Sequence, residues 1–358
     1  MHSILDSAPD NEPKSTVSVG TVTELRDSPI AGHVLDPNDP LYSTVRAAQD
    51  YARAARSVAT RLAYNSDWKD FSAWCTENRL AVLPAEPATV ALYLSALAEK
   101  GRKAATITRR LTSISTAHRR AGFPSPCDRS HTIVAETMQG IRRTLGTRQI
   151  GKEPVNLELL RKAISNAEGT LTASRDRALL LVGFAGGMRR SELAAMRIEH
   201  LHWHKKGMTI FLPSSKTDQE GQGREVELPL GVQPAMTPLS QLTCPVRALD
   251  QWLRQASIKE GAVFRKVTHA QTIRGALGPH SVGWIVKRAL KRAGLTEGEL
   301  ARYGAHSLRA GFATEAYSNG ASELAIMRQT GHKSNAMVRK YIRADRQDRQ
   351  AAAGKLGL

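Results

Sequence analysis

Four short motifs in the sequence carry side chains whose chemistry suits a phosphate group. Arginine grips phosphate oxygens through paired N–H donors, while lysine and histidine supply single hydrogen bonds or a proton. A tyrosine hydroxyl can attack as a nucleophile and remain attached to the chain. The motifs are A-G-G-M-R-R-S-E-L at 185–193, S-S-K-T-D at 214–218, A-H-S-L-R-A-G-F-A-T at 305–314 and T-G-H-K-S-N-A-M-V-R-K-Y-I-R at 330–343.

The first motif has the features of an anion site at the start of a helix. Gly186 and Gly187 predict a tight turn, and the residues that follow predict a helix whose N-terminus favours anions. Arg189 is therefore placed to hold a phosphate, and Glu192 lies on the same helical face, where it can hold that arginine in place. Taken alone, this arginine and glutamate would be read as an ordinary surface pair.

The other three motifs each add one or two polar side chains. Lys216 lies where a predicted strand passes into a loop, and His306 and Arg309 project from one face of a helical turn. His332 is followed nine residues later by Tyr341. Each feature alone is more often solubilising or structural. Together, two arginines, two histidines, a lysine and a tyrosine in a fixed order predict phosphate chemistry.

The overall charge favours a polyanionic partner. The 358 residues are enough for two domains and include 51 Lys and Arg against 33 Asp and Glu, a formal charge of +18. Nucleic acid is favoured over a membrane, because no apolar run approaches the ~20 residues that span a bilayer. Without a leader sequence, and with only three widely spaced cysteines, we expect a cytoplasmic, nucleoid-associated protein with no disulfide framework and no zinc site.

Charge and hydrophobic periodicity divide the chain into five segments. The first forty residues hold seven acidic and two basic side chains and five prolines, which predicts a flexible acidic tail at 1–44. A helical domain is expected at 45–146, a linker rich in Gly, Lys and Pro at 147–155, a second domain at 156–345 and a C-terminal tail at 346–358.

The helical domain is predicted from three apolar stripes with helical spacing. The stripes are Tyr64, Trp68, Phe71 and Cys75; Val90, Leu94 and Leu97; and Ile107, Leu111, Ile114 and His118. The helix of the third stripe also carries cationic and hydroxyl side chains without interleaved acids, which favours a face that follows a phosphate backbone. This predicted DNA-binding face comprises Arg102, Lys103, Thr106, Arg109, Arg110 and Ser113.

In the second domain the sequence predicts helices around one small hairpin. Asn156 is a good N-cap for a first helix, and a second helix covers 175–184. The β-rich runs 208–213 and 224–230 predict the hairpin, and from Cys244 onward the periods are helical.

The ordered motif set resembles the tyrosine recombinase, or phage integrase, family over roughly residues 45–345. The family pattern Arg…Lys…His-x-x-Arg…His/Trp…Tyr is met by Arg189, Lys216, His306, Arg309, His332 and Tyr341. Two small departures are Arg190, at a place that is often apolar, and Gly187 directly before Met188. Neither changes one of the six matched positions.

The resemblance implies a mainly α fold with a small antiparallel hairpin, built as a C-shaped DNA clamp. It makes 45–146 a SAM-like core-binding domain and 156–345 the catalytic domain. It also implies an enzyme without metal, ATP or cofactor, acting as a homotetramer on two double-stranded DNA sites with inverted repeats, through a Holliday junction. The tail at 346–358 would either dock on a neighbouring protomer or fray.

The resemblance also implies a role for each matched residue. Arg189 and Arg309 would clamp the scissile phosphate, and His332 would add a hydrogen bond to a nonbridging oxygen. Tyr341 would attack to form a 3′-phosphotyrosyl bond, with Lys216 as the general acid for the leaving 5′ oxygen. His306 would help the tyrosine lose its proton, although which group is the base stays open.

Three alternatives follow from the same residues. A type IB topoisomerase shares the chemistry, but the N-terminal helical domain and the T-G-H motif favour a recombinase. A non-catalytic DNA-binding regulator would not need Tyr341 or Lys216, and both are present. A metal site at the alternating His200, His202 and His204 is disfavoured, because no cysteine or carboxylate cluster joins them. Target sequence, accessory proteins and the choice between integration, excision, resolution and transposition stay open.

Overall fold

The computed structural model describes residues 38–128, 130–148, 151–165, 169–213, 222–231 and 242–339. The chain divides between residues 149 and 150 into two compact units. Lys216 and Tyr341, together with the tails 1–37 and 346–358, lie outside the described residues. No described helix is long and apolar enough to cross a membrane.

The first unit is helical, as the apolar stripes predicted. Residues of all three stripes share one core, and aromatic rings pack within it: the ring centroids of Trp68 and Phe71 are 5.6 Å apart, and those of Phe71 and Tyr93 are 5.1 Å apart. His118 belongs to this core, where its Nε2 accepts a hydrogen bond from the Ala85 N–H at 2.9 Å. The helices are α1 (Tyr42–Ala54), α2 (Val58–Glu77), α3 (Pro87–Glu99), α4 (Ala104–Arg120) and α5 (Thr132–Leu145).

The face of α4 that was predicted to follow DNA is only partly exposed. Arg102 and Lys103 are exposed and Thr106 is half-buried. Arg109 is exposed too, but its guanidinium pairs with the buried Asp67 on α2.

Arg110 and Ser113 do not lie on an exposed face, which corrects the prediction for these two residues. The Arg110 side chain is 11% exposed, pairs with Asp70 on α2 and donates to the Tyr93 hydroxyl at 2.6 Å. Ser113 is fully buried and donates to the carbonyl of Tyr64. The carboxylates that pair with Arg109 and Arg110 belong to α2, so the absence of acids along α4 itself was misleading.

The second unit places helices around a three-stranded antiparallel sheet with the order β1-β2-β3. Ile210 on the central strand is paired with Leu201 on one side and Val226 on the other. The helices are α6 (Leu157–Ser165), α7 (Leu171–Ala185), α8 (Arg190–Ala195), α9 (Pro245–Gln255), α10 (Pro279–Arg292), α11 (Glu297–Leu300), α12 (His306–Ser318), α13 (Glu323–Thr330) and α14 (Asn335–Arg339), and the strands are β1 (Leu201–His204), β2 (Gly207–Leu212), β3 (Arg224–Pro229), β4 (Arg265–Val267) and β5 (Ile273–Ala276).

Two elements of this unit differ from the sequence prediction. The predicted hairpin gains a third strand, β1, from the histidine-rich run before it. The region after Cys244, predicted to be helical throughout, contains the short hairpin β4–β5. Both additions involve strands of three or four residues, which are too short to show an alternating pattern.

Helix α7 contributes many of the buried residues of the core. Gly311, the glycine of the third motif, lets the backbone of Val155 pack closely against α12. Leu179 and Val182 of α7 are fully buried. A Cβ on Gly311 would lie 2.0 Å from the carbonyl oxygen of Val155, so only glycine fits there. The Val155 N–H also donates to the Ser307 carbonyl at 3.0 Å. Residues 151–155 of the predicted linker therefore belong to the second unit.

Candidate active site

The first motif forms the turn that its glycines predicted. Gly187 has a φ of +54°, a conformation that glycine adopts without strain, and a Cβ there would lie 2.7 Å from the Cγ2 atom of Thr330. The turn places Arg189 at the N-cap of α8, where its backbone N–H donates to Glu192 Oε2 at 2.8 Å. Two distant parts of the chain, 185–193 and 330–332, thus meet at this turn.

Glu192 is a buried carboxylate that holds two arginines. Arg189 Nη1 donates to Oε1 at 2.6 Å, and Arg224 Nη2 donates to Oε2 at 3.0 Å, while the Glu192 side chain is 2% exposed. Burial alone would raise the pKa of this carboxyl. The charge of Arg224 and the hydrogen bonds and charge of Arg189 outweigh burial, so the pKa is lowered below its ordinary value of 4.5.

Arg309 is a buried guanidinium whose N–H donors fix the turn and the fourth motif together. Its Nη1 donates to the carbonyl oxygens of Gly187 at 2.7 Å and Thr330 at 2.6 Å. Its Nη2 donates to His332 Nε2 at 2.8 Å. The residue is 1% exposed, so it is positioned by the protein before any ligand arrives.

His332 is a buried imidazole beside the guanidinium of Arg309. It is 6% exposed, and its Nδ1 is 2.7 Å from the hydroxyl oxygen of Thr330. Burial, followed by the charges of Arg309, Arg189, His306 and Arg224, lowers the pKa of His332 to about 3. The imidazole is therefore neutral at pH 7.

His306 is the first residue of α12 and is exposed. It stands three residues before Arg309 on the same helix, and its charge is among those that lower the pKa of His332. The structure thus brings Arg189, Glu192, His306, Arg309 and His332 into one region.

The arrangement is an anion site. Two guanidinium groups, those of Arg189 and Arg224, pair with the one carboxylate of Glu192, and a third, that of Arg309, donates to the carbonyl of Gly187 in the adjoining turn, so positive charge is in excess. Arginine cannot lose its proton near neutral pH, and its planar fork matches the oxygens of a phosphoryl group. Such a site can hold a phosphodiester and stabilise charge that develops on it.

Two models of known protein families match the chain. The phage integrase family matches residues 155–348, and the phage integrase N-terminal SAM-like domain matches residues 50–121. An integrase/recombinase XerD homologue of Selenomonas ruminantium is 42% identical over 286 residues, which is 79% of this chain and 81% of the relative.

The chain belongs to the phage integrase family. It is a site-specific tyrosine recombinase, mostly helical with small antiparallel sheets. A more distant relative, the recombinase Cre of Escherichia phage P1, is 26% identical over 297 residues, 77% of this chain and 81% of the relative.

Solved structures show the same fold. The XerH site-specific recombinase bound to palindromic difH substrate has a TM-score of 0.59 at 17% identity, covering 88% of this chain and 85% of that chain. The Tn1549 transposon integrase in complex with transposon right-end DNA has a TM-score of 0.56 at 15% identity, covering 87% of this chain and 98% of that chain.

Sequence reasoning missed two residues of this recombinase's site. Arg224, the first residue of β3, pairs with Glu192 and donates to the Gln329 carbonyl at 2.7 Å. Its only sequence signal was its place at the start of a predicted strand. Thr330 was quoted as part of the T-G-H motif, but nothing in the sequence showed that its hydroxyl lies against the histidine. Among the described residues, no group of three or more His, Cys, Asp or Glu side chains is arranged to hold a metal ion.

A Glu192→Gln variant of the recombinase is expected to lose about 3 kcal/mol of folding free energy at pH 7, because two largely buried arginines, Arg189 and Arg224, lose their counter-charge. The folded-state pKa of Glu192 is lowered, so its stabilisation is fully present above 4.5 and is lost as the pH falls through the folded value. Urea unfolding at pH 7 and at successively lower pH should show the gap between wild type and variant narrowing below 4.5.

The matched control is Glu158→Gln, since Glu158 forms only an exposed pair with Lys162. Its unfolding midpoint should stay within error of wild type. A Glu192→Gln deficit that is constant with pH would show that shape, and not charge, is what the carboxylate contributes.

Proposed function

We propose that this recombinase cuts and rejoins DNA through a 3′-phosphotyrosyl intermediate at the site around Arg309. The observation that carries the proposal is the convergence of Arg189, Arg309 and His332 from three separate motifs onto one buried, positively charged region. Buried guanidinium donors in fixed positions need little reorganisation when charge develops on a phosphate.

In the proposed cleavage step, Arg189 and Arg309 hold the nonbridging oxygens of the scissile phosphate, and His332 adds a hydrogen bond. The hydroxyl oxygen of Tyr341 forms a bond to phosphorus while the bond from phosphorus to the 5′ oxygen breaks. The Lys216 ammonium gives its proton to that leaving oxygen, and the phenol gives up its own proton to a base. His306 is the proposed aid for that proton transfer, because it lies at the edge of the site and is exposed.

Rejoining reverses the same bonds. A 5′ hydroxyl from a second DNA strand attacks the phosphotyrosyl ester, and the tyrosine leaves. Since one ester replaces another of similar energy, the exchange needs no ATP. We infer that two such exchanges on two DNA sites pass through a Holliday junction held by a homotetramer, and that the protein acts at the nucleoid.

We propose that the first unit is the core-binding domain and the second the catalytic domain, with 346–358 docking on a neighbouring protomer. An apolar cavity of about 570 Å³ in the second unit supports this docking; Leu157, Phe184, Phe312 and Ile326 are among its lining residues. A chain ending at Asp345 should then sediment as smaller complexes on DNA than the full chain. If the shortened chain still forms the same tetramers on DNA as the full chain, residues 346–358 do not hold protomers together.

Covalent capture tests the proposed function. Purified protein is incubated with sheared DNA from around its own gene and denatured, and the DNA that stays attached is sequenced. Adducts at one inverted-repeat site, which then exchange strands between two labelled duplexes carrying it, are expected. Scattered adducts with relaxation of a supercoiled plasmid and no exchange between duplexes would instead indicate a topoisomerase reaction.

A further inference from the structure

Thr330 is a buried hydroxyl residue in contact with both His332 and Arg309. It is the last residue of α13, and Gly331 follows it in the left-handed conformation with a φ of +67°. The Thr330 hydroxyl lies 2.6 Å from the carbonyl oxygen of Ile326 and 2.7 Å from His332 Nδ1. Its own carbonyl accepts from Arg309 Nη1 at 2.6 Å.

The hydrogen bonds that link Arg309, His332 and Thr330 have directions that follow from one fact: a guanidinium group can only donate. Arg309 Nη2 therefore donates to His332 Nε2, which carries a lone pair and no proton. In a neutral imidazole the proton must then be on Nδ1, and it points to the Thr330 hydroxyl oxygen. That hydroxyl is free to accept because its own hydrogen is directed at the Ile326 carbonyl.

We propose that Thr330 is a positioning residue that holds His332 as the Nδ1–H tautomer in the DNA-free protein, with Nε2 turned to Arg309 as an acceptor. The proposal rests on the proposed function in giving His332 a role toward phosphate. It concerns the tautomer alone, so it can be tested without DNA cleavage.

The surroundings of His332 do not favour a second proton on the ring. Among the described residues, the charges that lower its pKa are those of Arg309 and His306 from α12, Arg189 from the turn before α8, and Arg224 from β3. The carboxylate of Glu192 is engaged by two of these arginines. The ring therefore carries a single N–H proton, on Nδ1, and the Thr330 hydroxyl oxygen accepts a hydrogen bond from it.

This arrangement has a consequence for the reaction. His332 cannot donate a hydrogen bond to a phosphoryl oxygen while Nε2 accepts from Arg309. A proton from solvent must first reach Nε2, and the hydrogen bond from Arg309 Nη2 must pass from Nε2 to an oxygen of the incoming phosphate. The negative charge of the phosphate favours both changes.

The test is the ring nitrogen signals of His332 in full-length protein labelled with ¹⁵N-histidine, with His332→Gln used for assignment. Wild type should show a neutral ring with the proton on Nδ1, exchanging slowly with water. Thr330→Ser keeps the hydroxyl and should keep this signature. Thr330→Val keeps the size but removes the acceptor. In this variant the His332 Nδ1–H should exchange with water at least roughly tenfold faster, or the imidazole should be a mixture of the Nδ1–H and Nε2–H tautomers.

Thr137→Val is the matched control, because the Thr137 hydroxyl also donates to a carbonyl four residues earlier, that of Ile133, without an imidazole nearby. It should leave the His332 signals unchanged. A proton on Nε2 in wild type would overturn the proposal, and so would a Thr330→Val protein with the wild-type tautomer and exchange rate. Should Thr330→Val not fold, Thr330→Ala replaces it as the variant without an acceptor, with the same expected change in the His332 signals. Failure of the covalent capture would leave these spectra unaffected, so the two proposals can fail separately.

Discussion

A Tyr341→Phe variant is expected to form no covalent adduct with DNA, a loss of at least about 10⁴-fold. Phenylalanine lacks the oxygen that would bond to phosphorus, and water cannot replace it in forming a link to the protein. The arginines that are proposed to hold the phosphate are unchanged in this variant. DNA binding, measured by gel mobility under native conditions, should therefore stay within about threefold of wild type, while the denaturing gel shows no shifted DNA.

The matched control for this experiment is Tyr317→Phe. Tyr317 is a tyrosine on α12 of the second unit with 42% of its surface exposed. This variant should give the wild-type yield of adduct. Equal adduct yields from the Tyr341→Phe protein and wild type would show that another residue is the nucleophile, and the proposed cleavage step would be wrong.

The secondary structure that sequence predicted best was that of long, periodic elements. The stripe ending at Cys75 is the buried face of α2, and Pro87 begins α3. Asn156 accepts from the N–H of Leu159, as an N-cap does. The short strand β1 and the hairpin β4–β5 were missed, because three or four residues carry too little pattern.

The family pattern names residues that meet in the structure, but it does not reveal those whose role depends on a tertiary contact. Lys216 and Tyr341, which it also names, lie outside the described residues. Arg189, Arg309 and His332 meet, although about 140 residues separate the first from the last. Arg224 and Thr330 could not be found, because their roles come from a carboxylate and an imidazole on other segments.

On α4 the sequence predicted an exposed DNA-binding face that is in part buried. A run of basic and hydroxyl residues without acids in the same helix favoured an exposed, phosphate-facing surface. Arg110 is instead paired with Asp70 of α2 and is mostly buried. Charge patterning along one helix reports its local neighbours only, so a cationic face is secure only when the packed partner helix has no carboxylates to pair with it.

An Arg309→Lys variant is expected to lose about 10²- to 10³-fold in the rate of strand cleavage, with charge kept and geometry lost. The guanidinium donates to the carbonyls of Gly187 and Thr330 and to His332. A single ammonium on a flexible four-carbon chain, which is shorter than an arginine side chain, cannot make these contacts and also reach a phosphate in fixed geometry. The rate is measured in single turnovers on a nicked duplex that carries the captured site.

The stability of the same variant separates the two roles of Arg309. Losing donors to two carbonyls in a buried region is expected to cost about 2 kcal/mol of folding free energy, measured by urea unfolding. Arg302→Lys is the control, because Arg302 forms an exposed pair with Glu153 and should change neither quantity. If Arg309→Lys cleaves within about threefold of wild type, positive charge alone suffices and the fixed geometry is not needed. If cleavage falls by the expected 10²- to 10³-fold while DNA affinity stays near wild type and stability falls by no more than about 2 kcal/mol, the guanidinium donors act mainly on the phosphate as it reacts, which is the expected result.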